Sequence, residues 1–209
     1  MATNPAPTIE HGKAAGPCIM VIFGAGGDLT SRKLIPALFN LAKDGLLSKD
    51  FTLLGYSRNA EITDEVFRQN ATRFLSEDDR KGETFDWFYK RLYYTSGDLR
   101  TLADYQKLSA RLTELDKTNN TGGNFFFYFA TAPSFFGDIV DLLGQVGLSN
   151  ETNGSFRRVI IEKPFGADLV SAKALNARVQ KVLDEKTDLP HRPLSWQRDR
   201  TEPDGLPFR

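Results

Sequence analysis

Residues Ile19 to Phe23 form a compact apolar run that stops at Gly24-Ala25-Gly26-Gly27, and from Leu29 onward the apolar spacing turns helical. A short strand that is apolar at every position is one buried on both faces of a sheet. Glycines directly after it mark a tight turn. In the segment Leu29 to Ala42, the residues Leu34, Ala37, Leu38, Leu41 and Ala42 share one helical face, and Gly45 closes the helix. A strand buried on both sides needs helices above and below its sheet, and that requirement removes most architectures at once.

The alternation repeats along the chain. Phe51 to Tyr56 reads as a second strand, ending in Gly55-Tyr56-Ser57-Arg58. Thr63 opens a helix with Val66, Phe67, Ala71 and Phe74 inward, and the aromatic segment Phe85 to Tyr93 reads as another helix. Leu102 to Leu115 is helical, Phe125 to Ala130 a strand, and Phe135 to Val146 a helix. Arg158 to Glu162 is the last strand and Leu169 to Leu183 the last helix. Strand and helix in alternation predict an α/β fold: a doubly wound, mainly parallel sheet with helices on both faces. This unit is expected over residues 17–186. Residues 1–16 are small, polar and Pro/Gly-containing, and read as a disordered leader. Residues 187–209 hold Pro190, Pro193, Pro203 and Pro207 among many arginines, with no periodicity, and do not belong to the pattern.

The charge balance excludes several functions. Lys plus Arg and Asp plus Glu are both 27, so no basic excess favours a nucleic acid or a membrane surface. No stretch approaches the ~20 apolar residues of a membrane helix. Cys18 is the single cysteine, which fits a reducing cytoplasm, and its apolar neighbours mark it as an inert strand thiol. No metal site is expected.

A strand, a glycine turn and a helix in that order can cradle a phosphate. Glycines let the backbone approach it, and the helix N-terminus offers free N–H groups and the positive end of a dipole. Here the turn and first helical residues read Gly24-Ala25-Gly26-Gly27-Asp28-Leu29-Thr30-Ser31. The common dinucleotide fingerprint has a third glycine where this chain has Leu29, so a purely structural turn also remains open. The second strand bears on the coenzyme. NAD-binding folds place an acid at its end, whereas an arginine there accommodates the extra phosphate of NADP. This chain has Ser57-Arg58 and no acid before Glu61. Taken alone, Arg58 could equally be a solvated surface arginine.

The run from Gly24 to Leu38, GAGGDLTSRKLIPAL, resembles the opening motif G-A-S-G-D-L-x-x-R-K-L-x-P-A-L of glucose-6-phosphate dehydrogenases, with Gly26 in place of the usual Ser or Thr. Gly55 to Arg58 resembles the family's G-x-x-R, and Phe127 to Pro133 its F-Y-L-A-x-x-P segment. Ile161-Glu162-Lys163-Pro164-Phe165-Gly166 with Asp168-Leu169 and Ser171-Ala172 resembles its E-K-P-F-G-x-D-L-x-S-A motif. The resemblance implies a Rossmann-like NADP-binding domain. Gly24, Ala25, Gly26, Gly27, Asp28, Leu29, Thr30 and Ser31 would bind the pyrophosphate and Arg58 the adenosine phosphate. Asp98 and Leu99 would line the adenine side. Lys163 would touch coenzyme and sugar, with Lys33 a second lysine near the sugar. The implied partner is glucose 6-phosphate, and full-length members are expected to be homo-oligomers.

The family's next motif, I-Y-R-I-D-H-Y-L-G-K-E, supplies the His and Lys for the sugar phosphate and an Asp that supports a base His further on. Its place falls at Asp188, where this chain reads Asp188-Leu189-Pro190-His191-Arg192-Pro193-Leu194-Ser195-Trp196. A permitted coding of those nine residues, read one base later, translates as I-Y-R-I-D-H-Y-L followed by G. Gln197 to Glu202 can continue it as N-E-T-V-Q-N. A single-base frameshift near codon 187, in the gene or in its reading, is therefore expected to have replaced the sugar-phosphate motif. His11 and His191 match no family histidine. The 209-residue chain is expected to be inactive, its alternative role being a non-catalytic NADP-binding module.

Overall fold

A computed structural model describes residues 14–152, 154–162 and 169–182, so most of the leader, the tail at 187–209 and Lys163 lie outside the described residues. Among the described residues, five strands form one sheet: β1 (Ile19–Phe23), β2 (Thr52–Ser57), β3 (Leu92–Ser96), β4 (Phe125–Phe129) and β5 (Arg157–Ile161). They lie in the order β3-β2-β1-β4-β5, and every pairing is parallel. The register sets Val21 of β1 opposite Leu54 of β2 and Phe127 of β4. The connecting helices are α1 (Ile35–Lys43), α2 (Asp64–Thr72), α3 (Glu83–Lys90), α4 (Leu102–Asn119), α5 (Phe136–Gln145) and α6 (Leu169–Val182).

β1 is buried along its whole length, and its side chains feed two separate cores. Ile19, Val21 and Phe23 pack with Tyr105, Leu108 and Leu112 of α4 and Ile139 and Leu143 of α5. Met20 and Ile22 pack with Ile35 and Phe39 of α1, Phe67 of α2 and Phe88 of α3. Opposite pointing of successive residues on a strand thus yields a three-layer α/β/α sandwich. Phe23 anchors the first core, with ring centroids 5.3 Å from Tyr56 and 5.6 Å from Phe129. Cys18 lies in the second core, where burial pushes its thiol up to about 11. That agrees with an inert strand thiol.

Three details depart from the sequence expectations. The segment Phe85 to Tyr93 is not one helix. α3 ends at Lys90 and Leu92 opens β3, a strand the sequence reading missed. Arg91 carries both patterns: its N–H donates to Phe88 O in the last helical turn, and its carbonyl accepts from Leu53 N in the sheet. Aromatic residues favour strands as readily as they fill helical faces, so a continuous aromatic run hides such a change. In α1, Leu41 is 39% exposed while Ile35 and Phe39 are buried. The helix is apolar on more than one side, and the layer below selects the Ile35–Phe39 edge. In α2, Phe67 and Ala71 face inward as expected, but Val66 is exposed, as is Phe74 just beyond the helix.

Thr63 starts α2 as its spacing predicts: its extended backbone turns the chain, and its Oγ1 accepts from Val66 N at 3.2 Å. Asp64 and Glu65 add negative charge at the positive end of the helix. Thr63→Ala is expected to lower stability by about 1 kcal/mol in urea unfolding. No change at all would show that the cap contributes nothing.

Candidate coenzyme-binding site

The glycine turn leaves β1 at the carboxyl edge of the sheet, where the chain connects to β2 on one side and β4 lies on the other. In doubly wound sheets that position is where ligands bind. Gly24 has φ +89°, and a Cβ there would lie 2.4 Å from Ala130 O and 2.9 Å from Thr131 Cγ2. Only glycine permits both the backbone angle and the close approach of the chain leaving β4. The N–H groups of Gly24 and Ala25 donate to Tyr56 O at 2.9 and 3.3 Å, and Gly27 N donates to Gly24 O at 3.0 Å. The turn is thereby tied to the end of β2. The helix behind it opens with a π-helical turn, Thr30–Leu34, before continuing as α1. Such widened turns are rare and cluster at functional sites. Thr30 and Ser31 are buried within it, and the Thr30 hydroxyl has no partner among the described residues.

Around this turn lies a cleft of about 440 Å³. Gly24, Gly26 and Gly27 face it from β1; Ser57, Arg58 and Asn59 line it from the end of β2. Asp98, Leu99 and Arg100 contribute from the loop after β3, and Thr131 and Phe135 from beyond β4. Four strands therefore deliver residues to one place, and Gly24, Gly26, Gly27, Arg58, Asp98 and Leu99 were all read as coenzyme residues from the sequence.

The two arginines in the cleft differ. Arg100 donates from Nε to Asp138 Oδ2 at 2.8 Å and lies 4.6 Å over the Phe135 ring, so its charge is engaged. Arg58 is exposed and makes no hydrogen bond or ion pair among the described residues. The β3 loop is fixed by its own bonds. Tyr56 hydroxyl donates to Asp98 O at 3.2 Å, Arg100 N donates to Asp98 Oδ1 at 2.8 Å, and Asp98 N donates to Asp104 Oδ2 at 3.0 Å. That last bond, followed by Lys107, holds the Asp104 carboxyl below its ordinary value.

The remaining candidates fall around the cleft rather than in it. Ala25 and Ser31 line a smaller hollow of about 120 Å³ toward α2, with Asn70 and Arg73. Asp28 is exposed and pairs with Arg32 at 3.5 Å and Arg73 at 3.4 Å. Both guanidiniums stack on Phe74, at 4.3 and 4.7 Å, which accounts for that ring's position on the surface. Leu29 is partly exposed, and Lys33 stands exposed on the π-helical turn, outside the lining of the cleft. Lys163 lies outside the described residues, and the preceding Glu162 accepts from the Tyr128 hydroxyl. Ser57, Asn59, Arg100, Thr131 and Phe135 line the cleft without having been named as site residues from the sequence. Arg100 would have followed from β3, since a cation four residues past that strand lands in the cleft.

The residues present fit a nicotinamide dinucleotide. A glycine floor exposes backbone near a helix N-terminus, and at the end of β2 stands a cation, Arg58, with no partner among the described residues. Among the described residues no helix is long and apolar enough to cross a membrane.

Comparison with known proteins points the same way. Residues 21–187 match the family model described as glucose-6-phosphate dehydrogenase, NAD binding domain. The glucose-6-phosphate 1-dehydrogenase of Aggregatibacter actinomycetemcomitans is 44% identical over 169 residues, covering 80% of this chain and 34% of that protein. That of Chlamydia pneumoniae is 41% identical over 177 residues, covering 82% and 34%. A solved glucose-6-phosphate dehydrogenase in complex with its substrate glucose-6-phosphate superposes with a TM-score of 0.70 at 29% identity, covering 83% of this chain and 36% of that one. The chain thus spans about a third of the length of the relatives it matches. With the parallel sheet, the glycine turn and the cleft all in the matched region, the chain belongs to the glucose-6-phosphate dehydrogenase family, in its dinucleotide-binding domain.

Proposed function

We propose that this chain is the NADP-binding portion of a glucose-6-phosphate 1-dehydrogenase, which oxidises D-glucose 6-phosphate to 6-phosphogluconolactone. The observation that carries the choice of coenzyme is Arg58, a cation on the cleft wall at the end of β2 whose charge no described residue neutralises. The 2′-phosphate of NADP would pair with it, while the turn from Gly24 to Ser31 would take the pyrophosphate and Asp98 and Leu99 the adenine side. Bound NADP supplies the hydride acceptor. The rest falls to the protein: Lys163 would bridge coenzyme and sugar, and Lys33, exposed on the π-helical turn away from the cleft, would lie on the sugar side. Residues 17–186 form the coenzyme unit in this reading, and residues 187–209 are a shifted reading frame. The complete enzyme would work in the cytoplasm as a homo-oligomer.

The test is titration of the 209-residue chain with NADP and NAD. NADP should bind more tightly. Arg58→Ala should lower the NADP/NAD affinity ratio at least about tenfold, since a charge-assisted arginine–phosphate bond contributes ~1.5–3 kcal/mol. Equal affinities in the unmutated chain would remove Arg58 from this role.

A further inference from the structure

We infer that Tyr94 is a specificity-positioning residue: its buried hydroxyl clamps the backbone on either side of Arg58 and so aims that guanidinium at the 2′-phosphate. The inference rests on the NADP reading above and adds to it a residue of β3 that does not line the cleft.

Tyr94 lies in β3, paired with Gly55 of β2, and is 6% exposed. Its ring packs against Phe67, with centroids 5.5 Å apart. Its hydroxyl lies 2.8 Å from Asn59 O, 3.1 Å from Ser57 O and 2.7 Å from Ser57 Oγ. A phenol has one proton to give. Asn59 O is the nearer of the two carbonyls, and Ser57 O already has one donor in Gly97 N at 2.9 Å, so we assign the Tyr94 proton to the bond with Asn59 O. Ser57 Oγ then donates to the Tyr94 oxygen. The residues before and after Arg58 are thus both tied to one buried atom. Asn59 is further held through its side chain, since its Oδ1 accepts from Glu61 N at 2.9 Å. The Ser57 hydroxyl also abuts the glycine turn: a Cβ on Gly26 would come within 3.3 Å of it. The network therefore couples the arginine loop to the phosphate turn through a residue that touches neither phosphate.

An exposed arginine on a free loop would spend much of its binding free energy on becoming ordered. Two anchored neighbours remove that cost for the backbone. Burial raises the pKa of the Tyr94 phenol above its ordinary value, which favours the protonated hydroxyl.

Tyr94→Phe keeps the ring against Phe67 and deletes only the hydroxyl. In titrations of the 209-residue chain, the NADP/NAD affinity ratio should fall about fivefold, the fold-change one net hydrogen bond is worth. The same change made in Arg58→Ala should leave the ratio where Arg58→Ala alone puts it, because Tyr94 acts through Arg58. Thermal unfolding of each variant separates these effects from loss of fold. If Arg58→Ala collapses the ratio but Tyr94→Phe leaves it unchanged, or weakens both coenzymes equally, the positioning role is wrong and the NADP reading survives. An unchanged ratio in Arg58→Ala itself would overturn that reading, and this inference with it.

Discussion

Gly24→Ala is expected to weaken coenzyme binding by about a hundredfold or more, and to do so out of proportion to its effect on folding. The added methyl meets Ala130 O at 2.4 Å, a backbone atom that cannot rotate away, and the φ of +89° is one that alanine resists. The turn must therefore move. Its position is fixed by the bonds from Gly24 N and Ala25 N to Tyr56 O, so movement displaces the amides that would meet the pyrophosphate. Two charge-assisted N–H bonds to phosphate, at ~1.5–3 kcal/mol each, account for the hundredfold. Gly45→Ala provides the control. Gly45 also has positive φ, +69°, and caps α1 by donating to Ala42 O, but nothing lies within 4 Å of a Cβ there. It should cost ~1–2 kcal/mol of stability from backbone strain alone and leave coenzyme affinity intact. Calorimetric titration and urea unfolding of both variants separate the two effects. Equal coenzyme affinity in Gly24→Ala and the unmutated chain would mean the turn is structural only.

Much of this molecule was legible because its chemistry is local. A five-residue run apolar at every position, Ile19 to Phe23, stopped by glycines reads as a strand covered on both faces, and three glycines in the next four residues mark where the backbone must come close to something. Arg58 was legible for the same reason, as a cation at a strand end next to that turn. What the sequence concealed is what depends on which neighbour arrives. Leu92 and Tyr93 read as helix because aromatic residues serve both periods, and only Arg91 O accepting from Leu53 N turns the chain into β3. With β3 hidden, the loop holding Arg100 had no known place. Tyr94 fell outside every element read from the sequence. That Arg100 is engaged likewise came only from tertiary partners, since Asp138 and Phe135 are distant from it in sequence.

Restoring the reading frame at codon 187, together with the sequence that follows in the gene, is expected to raise glucose-6-phosphate oxidation from background to ordinary enzymatic turnover. The 209-residue chain should produce no NADPH from glucose 6-phosphate at saturating coenzyme, followed by the absorbance of the reduced nicotinamide. Oxidising a hemiacetal to a lactone requires a base for the anomeric hydroxyl and cations that hold the sugar phosphate. His191 stands in a stretch with a permitted coding whose shifted reading resembles the family's sugar-phosphate motif, and in this reading neither histidine of the chain serves the sugar. Orientation and general-base catalysis each contribute several orders of magnitude in rate, so a chain whose proposed contacts to the sugar are Lys33 and Lys163 alone would forfeit both. In the restored enzyme, Lys163→Ala should remove most of the turnover while leaving NADP binding within a few-fold. That split is the signature of a group acting at the reacting centre, as against one that merely holds the coenzyme. Resequencing the codons for Lys186 to Pro190 checks the premise directly. Robust turnover by the 209-residue chain would overturn both the frameshift and the placement of the sugar-phosphate site beyond Thr187.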